Sequence, residues 1–513
     1  MTFPLMSAGV IRRFPNTPGG SIAMLYFTNS IGAAIGVLAS GFWFIEKFGL
    51  PGTIMTAGLI NIALAVVVWM LVRFDPVAET EPLAVTRATG SRHTVARLFM
   101  LAAFITGAAS FIYEISWIRM LSLVLGATTH SFELMLSAFI TGLAFGGLWI
   151  KRRIDRIDNP VHFSGMVQII MGVFALLTIP LYMESFGWME WLLAALQRSE
   201  QAYTGYTLSS HVIALLVMLP TTFMAGMTLP LFTYVLLNRG AGEGSIGRIY
   251  AANTVGAIVG VLFAVHIGMP LLGLKNLIVF GAMLDLVLGV GLIWYALPQA
   301  RRGVATATAG MVSVIAIGTT VMGFDMDQRV LVSGVYRYGD TSFADNHKLL
   351  FYQDGKTATV SLRQDSDGEV SLSTNGKPDA AIQLDPGKPP SIDEVTMTLL
   401  GSIAYGFKPE AKRVANIGMG SGQTTHVALG NRRIEVLDTV EIEAVMADAS
   451  RMFGAAVERA HEDPRSTVHI EDAKTFFSLQ NSVYDIIIAE PSNPWVSGCL
   501  LYTSDAADDY FWV

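Results

Sequence analysis

Residues 412–422 read Lys412-Arg413-Val414-Ala415-Asn416-Ile417-Gly418-Met419-Gly420-Ser421-Gly422, an apolar run that ends in glycines at alternate positions. A short buried strand turning tightly into a helix is the simplest reading. Glycine adopts a left-handed backbone without strain and lets the main chain approach a ligand closely. Outward from this turn the pattern repeats. Strands are expected near 412–418, 434–441, 466–471 and 484–489, with helices near 422–430, 443–453 and 473–479 between them. Such alternation implies a doubly wound α/β sheet. Glu441 ends the second strand some twenty residues after the glycines, where a carboxylate can accept both hydroxyls of a ribose.

Upstream the period changes. From 330 to 377 apolar and polar residues alternate between turn signals such as Gln353-Asp354-Gly355-Lys356 and Asp365-Ser366-Asp367-Gly368, which predicts hairpins. Pro386, Pro389 and Pro390 then mark a linker before a helix at about 391–406. The expected units are a small β domain with linker at 325–390 and an α/β domain at 391–498.

The first 324 residues have a different solvent. The chain of 513 residues is 52% hydrophobic and only 15% charged, where soluble domains carry about 25% charged residues. Nine apolar runs, near 22–45, 53–72, 98–125, 132–150, 163–183, 208–237, 246–269, 275–297 and 304–324, have the length a bilayer core demands. Helices are expected, because lipid cannot satisfy open backbone groups. The lipid bilayer is therefore an expected partner, and 1–324 a polytopic membrane domain. Segment 186–197 (FGWMEWLLAALQ) is too short to span and predicts a helix lying in the interface plane. Glu114 and Arg119 sit inside an apolar run, as a functional pathway or a structural ion pair. His211, His266 and Asp285 read as packing groups.

Residues 1–73 match 227–297: Ser21, Tyr26, Asn29, Gly32, Gly36 and Gly49 correspond to Ser245, Tyr250, Asn253, Gly256, Gly260 and Gly273 at an offset of 224. The second copy is preceded by four further spans, so the natural protein is expected to begin upstream of Met1. At the other end, residues 499–513 are read as a non-native tail. Cys499 to Asp508 (CLLYTSDAAD) resemble a translated sequencing adapter and carry neither structural period. The single cysteine, Cys499, excludes a disulfide framework and a cysteine metal site, and no metal site is expected. The net charge of −7 without a basic block excludes a nucleic-acid partner. Arg12/Arg13, Arg73 with Arg87, Arg92 and Arg97, Lys151-Arg152-Arg153, Arg239 and Arg301/Arg302 alternate with poorly charged loops, which predicts their side as cytoplasmic. The ninth span would then place the soluble domain outside, but that run is rich in small residues and only weakly hydrophobic, so the side stays open.

Val414 to Gly422, with Val440-Glu441-Ile442-Glu443, Asp463-Pro464-Arg465, Glu471-Asp472-Ala473 and Tyr484-Asp485-Ile486-Ile487-Ile488, resembles spermidine synthases within the class I methyltransferase fold. The hairpins ending in Asn375-Gly376-Lys377 resemble that family's N-terminal β domain, and the repeated spans resemble fused transporter-like/spermidine synthase membrane proteins of the bacterial inner membrane. The resemblance implies a seven-stranded sheet, so four strands make an incomplete one. It implies decarboxylated S-adenosylmethionine or S-adenosylmethionine as co-substrate, held by Gly418, Gly420, Gly422 and Glu441, with Asp472 facing the adenine amino group and Ala473 leaving room for the ring. Asp463-Pro464-Arg465 reads as a structural turn.

The catalytic run departs from the family. Its fourth strand ends in Asp-x-Ser-Asp-Pro, whose acids bind the diamine and take its proton; here Glu490-Pro491-Ser492-Asn493-Pro494-Trp495 stands there. An amine of pKa about 10 must lose a proton before it attacks the carbon beside the sulfonium. Glu490 is the candidate base on a longer side chain, and displacement by roughly 1 Å can cost on the order of 10²-fold. Asn493, at the substrate position, carries no charge to pair with a second ammonium. After Asp393-Glu394, the family's Tyr, Gln and Glu are replaced by Val395, Thr396, Met397, Thr398 and Leu399. Three functions stay open. They are aminopropyl transfer to a small-molecule amine, methyl transfer to an amphiphilic acceptor, and a transporter-like protein that senses a nucleoside without catalysis. A homo-oligomer is compatible with each.

Overall fold

The computed structural model describes residues 2–74, 90–196, 200–342, 347–479 and 482–489. Its first part is a bundle of α1 (Thr2–Arg13), α2 (Pro18–Ala39), α3 (Ile45–Phe74), α4 (Gly90–Leu125), α5 (Thr129–Lys151), α6 (Pro160–Ala195), α7 (Glu200–Asn238), α8 (Gly244–Phe263), α9 (Met269–Ala296) and α10 (Gln299–Gly323). Seven helical runs among the described residues are long and apolar enough to cross a membrane, by length and composition. Two of them, of 57 and 53 residues, contain an internal glycine break.

The two broken runs share their irregularities. A π-helical turn joins α2 to α3 at Ser40–Phe44 and α8 to α9 at Ala264–Gly268, and each following helix breaks at a glycine. Gly49 has φ 63° and ψ 178°, Gly273 φ 71° and ψ 178°, a backbone conformation that glycine alone adopts without strain. Both features lie at the 224-residue offset of the sequence match. The chain reverses at Gly273. A Cβ on Gly256 or Gly260 of α8 would strike the carbonyls of Phe104 and Ala108, so α8 runs parallel to α4. Gly289 and Leu286 of α9 meet Gly165 and Gly172 of α6, so α9 runs antiparallel to α6.

The two copies are packed unequally. α9 buries Leu277, Ile278, Gly281, Asp285 and Leu292 among other residues, whereas α3 has no buried residue. Inside the bundle, polar side chains find one another. Tyr113 donates to Asp285 at 2.7 Å, Trp117 Nε1 to Thr178 at 3.1 Å, and Ser137 lies 3.2 Å from His211 Nε2. His266 is exposed. Arg119 does not pair with Glu114; it reaches out of the bundle to the soluble domain.

Two expectations need correction. Segment 186–197 is not a separate interfacial helix. Residues through Ala195 continue α6 past Pro180, because Phe186, Met189 and Leu192 pack into the bundle core. The stretch from 330 to 340 is not a hairpin but two short helices, α11 (Gln328–Leu331) and α12 (Val335–Tyr338), whose Leu331 and Val335 join the same core.

The hairpins begin at Lys348. β1 (Lys348–Asp354), β2 (Thr359–Gln364), β3 (Glu369–Thr374) and β4 (Lys377–Gln383) form an antiparallel meander. Asn375 and Gly376 both have positive φ, as the tight turn between β3 and β4 requires. One face of this sheet, with Val360, Leu362, Val370 and Leu372, shares a core with the α/β domain. That domain follows as α13 (Ile392–Phe407), β5 (Arg413–Ile417), α14 (Gln423–Ala428), β6 (Val436–Glu441), α15 (Ala444–Ser450), α16 (Glu458–Glu462), β7 (Ser466–Ile470), α17 (Ala473–Leu479) and β8 (Ile486–Ala489). Its strands are parallel in the order β7-β6-β5-β8, so the order switches between β5 and β8. Ser391 and Glu394 close a reciprocal capping box at the start of α13.

Candidate nucleoside site

In an open parallel sheet, ligands bind outside the carboxyl ends of the strands, where the order switches. The glycine turn lies there. Gly418, Gly420 and Gly422 have φ of 86°, 52° and 90°, so all three occupy the left-handed region that the turn from β5 into α14 needs. Asn416 braces the turn from below, donating to the Gly418 carbonyl at 3.0 Å and to Thr425 at 3.1 Å. Ser450 donates to the Ser421 carbonyl at 2.6 Å and holds it from the side.

Glu441 ends β6 against this turn. Its Oε2 accepts from the Met419 N–H at 2.8 Å and its Oε1 from the Glu443 N–H at 2.9 Å. The side chain is buried, and burial raises its carboxyl pKa; the backbone donors of Glu443 and Met419 oppose the shift. Each oxygen keeps a further lone-pair position, which suits the hydroxyls of a ribose.

Asp472 and Ala473 lie beyond the end of β7 on the same edge of the sheet. Asp472 is exposed, and its Oδ1 accepts from the N–H and hydroxyl of Thr475 at 2.8 and 3.1 Å, so it caps α17. The structure thus joins Glu441 to the glycine turn through the Met419 N–H and leaves Asp472 one strand away. Glu490 and Asn493 lie outside the described residues. Ala489, the last residue of β8, is in register with Ile417. Asp463 and Arg465 form an ion pair, and the guanidinium also donates to the carbonyls of Leu429, Asn431 and Ile434, a structural brace.

Met397 is buried beneath the glycine turn, where its sulfur accepts from Ser421 at 3.1 Å. Val395 and Leu399 of the same helix are exposed. Sequence reasoning gave no role to Glu443, whose carboxylate caps α15 through Val445 N and also holds the β1–β2 turn. An acid just before a helical run is a capping signal, but nothing in the sequence announces the distant turn. Among the described residues, no three His, Cys, Asp or Glu are grouped to hold a metal ion.

The spermine/spermidine synthase domain profile matches residues 395–509. The C-terminal region matches the spermidine synthase family. That stretch includes the glycine turn, Glu441 and Asp472, and it runs into the segment 499–513. A polyamine aminopropyltransferase of Alkaliphilus oremlandii is 29% identical over 107 residues, which is 21% of this chain and 38% of the relative. Putrescine N-methyltransferase 2 of Nicotiana tabacum is 36% identical over 118 residues, 23% of this chain and 32% of the relative. The chain thus spans under two fifths of these curated relatives. A spermidine synthase solved with the transition-state analogue AdoDATO is 20% identical and has a TM-score of 0.27, covering 30% of this chain and 51% of that one. The family match lies wholly outside the helical bundle.

Proposed function

We propose that the C-terminal region is a transferase of the spermidine synthase type, carried on a membrane-embedded bundle. Decarboxylated S-adenosylmethionine is the donor and a small-molecule amine the acceptor. The observation that carries this reading is the buried Glu441 carboxylate, hydrogen-bonded to the turn formed by Gly418, Gly420 and Gly422 at the switch point of the sheet. In this reading Glu441 binds the ribose, and Asp472 leaves its cap to meet the adenine amino group above Ala473. The amine nitrogen forms a bond to the carbon beside the sulfonium. The carbon–sulfur bond breaks, sulfur leaves with the electron pair as methylthioadenosine, and Glu490 takes the ammonium proton. Asn493 carries no negative charge to pair with a second ammonium of the acceptor.

A second reading is methyl transfer from S-adenosylmethionine to an amphiphilic acceptor. The match to a plant putrescine N-methyltransferase supports the methyl donor, and the apolar replacements near Met397 and Leu399, with the attached helical bundle, support an amphiphilic acceptor. Incubating the full chain with each donor and an amine or amphiphile separates the two. Methylthioadenosine is the expected product, and S-adenosylhomocysteine alone would favour the second reading. Glu490→Gln is expected to abolish turnover while nucleoside binding persists, because shape is kept and only proton acceptance is lost. Normal turnover by that variant would place the base elsewhere.

A further inference from the structure

The turn between β1 and β2 touches both the helical bundle and the nucleoside edge. On the bundle side, Arg119 of α4 donates to the carbonyls of Gly355 and Lys356 at 3.2 and 3.1 Å. Asp354, at the start of the turn, accepts from the Leu274 N–H at 3.1 Å, the donor freed by the break in α9 at Gly273. On the other side, Glu443 Oε2 accepts from the N–H and hydroxyl of Thr357 at 2.6 and 2.7 Å and from the Ala358 N–H at 3.2 Å. The contact is tight, since a Cβ on Gly355 would lie 2.3 Å from the Glu443 carboxylate. The Glu443 N–H in turn donates to Glu441.

We infer that Arg119 is a positioning residue for the nucleoside site, acting through the β1–β2 turn and Glu443 on the Glu441 carboxylate. Asp354 and Glu443 are both buried, and the Arg119 guanidinium is a positive charge near both. Without it, two buried carboxylates lose their shared counter-charge and the turn loses two donors, so the turn shifts. Because the turn lies directly against Glu443, that shift carries to the residue whose N–H fixes Glu441. The bundle is then a working part of the nucleoside site rather than an anchor alone. This inference rests on the reading of Glu441 as the ribose ligand.

The test uses the full chain in nanodiscs, with 5′-methylthioadenosine as the probe in titration calorimetry. Arg119→Met is expected to weaken binding at least fivefold, Arg119→Lys less. In a Glu441→Ala background the same Arg119→Met change should cost under twofold, because the group it positions is gone. Hydrogen exchange at the Met419 and Glu443 amides should also quicken in Arg119→Met. Equal losses in both backgrounds would make Arg119 structural glue and overturn the inference, as would no loss in the first. If Arg119→Met does not fold, Thr357→Ala, which removes one bond to Glu443, must give the same non-additive loss, and its failure to do so also overturns the inference. A Glu441→Ala variant with unchanged affinity would instead sink the nucleoside reading itself.

Discussion

At the scale of one residue, Glu441 carries opposite demands. One of its oxygens holds the glycine turn and the other the Glu443 N–H, yet burial penalises their charge. Glu441→Ala is expected to weaken nucleoside binding at least tenfold, about 1.4 kcal/mol. Unchanged affinity by calorimetry would remove Glu441 from the site. The sign of the pH dependence follows from the raised pKa. A carboxyl whose folded pKa lies above its ordinary 4.5 contributes its stability in full below that ordinary value. The contribution is lost as pH rises through the folded value. Ribose binding needs the carboxylate and runs the other way. Across that window the ligand-free melting temperature should therefore fall, and nucleoside affinity should rise, as pH increases. Glu441→Ala should flatten both trends; a trend that survives in the variant belongs to another group.

At the scale of elements, the same glycines do different work in the two broken helices. A Cβ on Gly256 would lie 2.0 Å from the Phe104 carbonyl oxygen, so α8 and α4 meet backbone to backbone. Gly32, its counterpart in α2, meets nothing within 4 Å. Gly256→Val should destabilise the bundle by roughly 1–3 kcal/mol through overpacking. Gly32→Val should stay within about 0.5 kcal/mol, as substitutions away from packed features do. Thermal unfolding in detergent compares them. An equal loss at Gly32 would show that this face is also packed in the protein.

At the scale of the whole molecule, the charge pattern acquires a direction. The loop after α4 and the break in α9 both meet the soluble domain, through Gly126 against Tyr336 and Leu274 against Asp354. Chain alternation then puts Lys151, Arg152, Arg153, Arg239, Arg301 and Arg302 at the far end of the bundle. At that end Arg73, Arg153 and Arg302 stack on Trp69, Trp149 and Trp294, as residues at a membrane–water interface do. The positive residues place the basic end in the cytoplasm and the soluble domain on the opposite face, whereas the proposed donor calls for the reverse, and thiol labelling decides between them. Single cysteines in a chain lacking Cys499, placed at Arg152 and at Asp367, should react with an impermeant thiol reagent on intact cells only at the second position. Labelling at Arg152 instead would reverse the topology and bring the soluble domain to the side where S-adenosyl nucleosides are made.

What could be read from sequence was whatever depends on period and on glycine. The apolar runs, the alternation of short strands and helices, and the left-handed positions of Gly418, Gly420 and Gly422 are local properties, because each residue's backbone preference sets them. The place of Glu441 at the end of β6 was legible because the strand pattern stops there. Segment 186–197 was misread because its apolar face matches either an interface or a core, and only the packing of Phe186 and Met189 decides between them. Residues 330–340 were misread because two short helices have no room for a period of 3.6 to declare itself. The partnership of Arg119 with a turn 236 residues away, and of that turn with Glu443, left no trace in sequence. Such contacts join segments whose separation along the chain carries no information about their distance in space, so tertiary structure alone decided them.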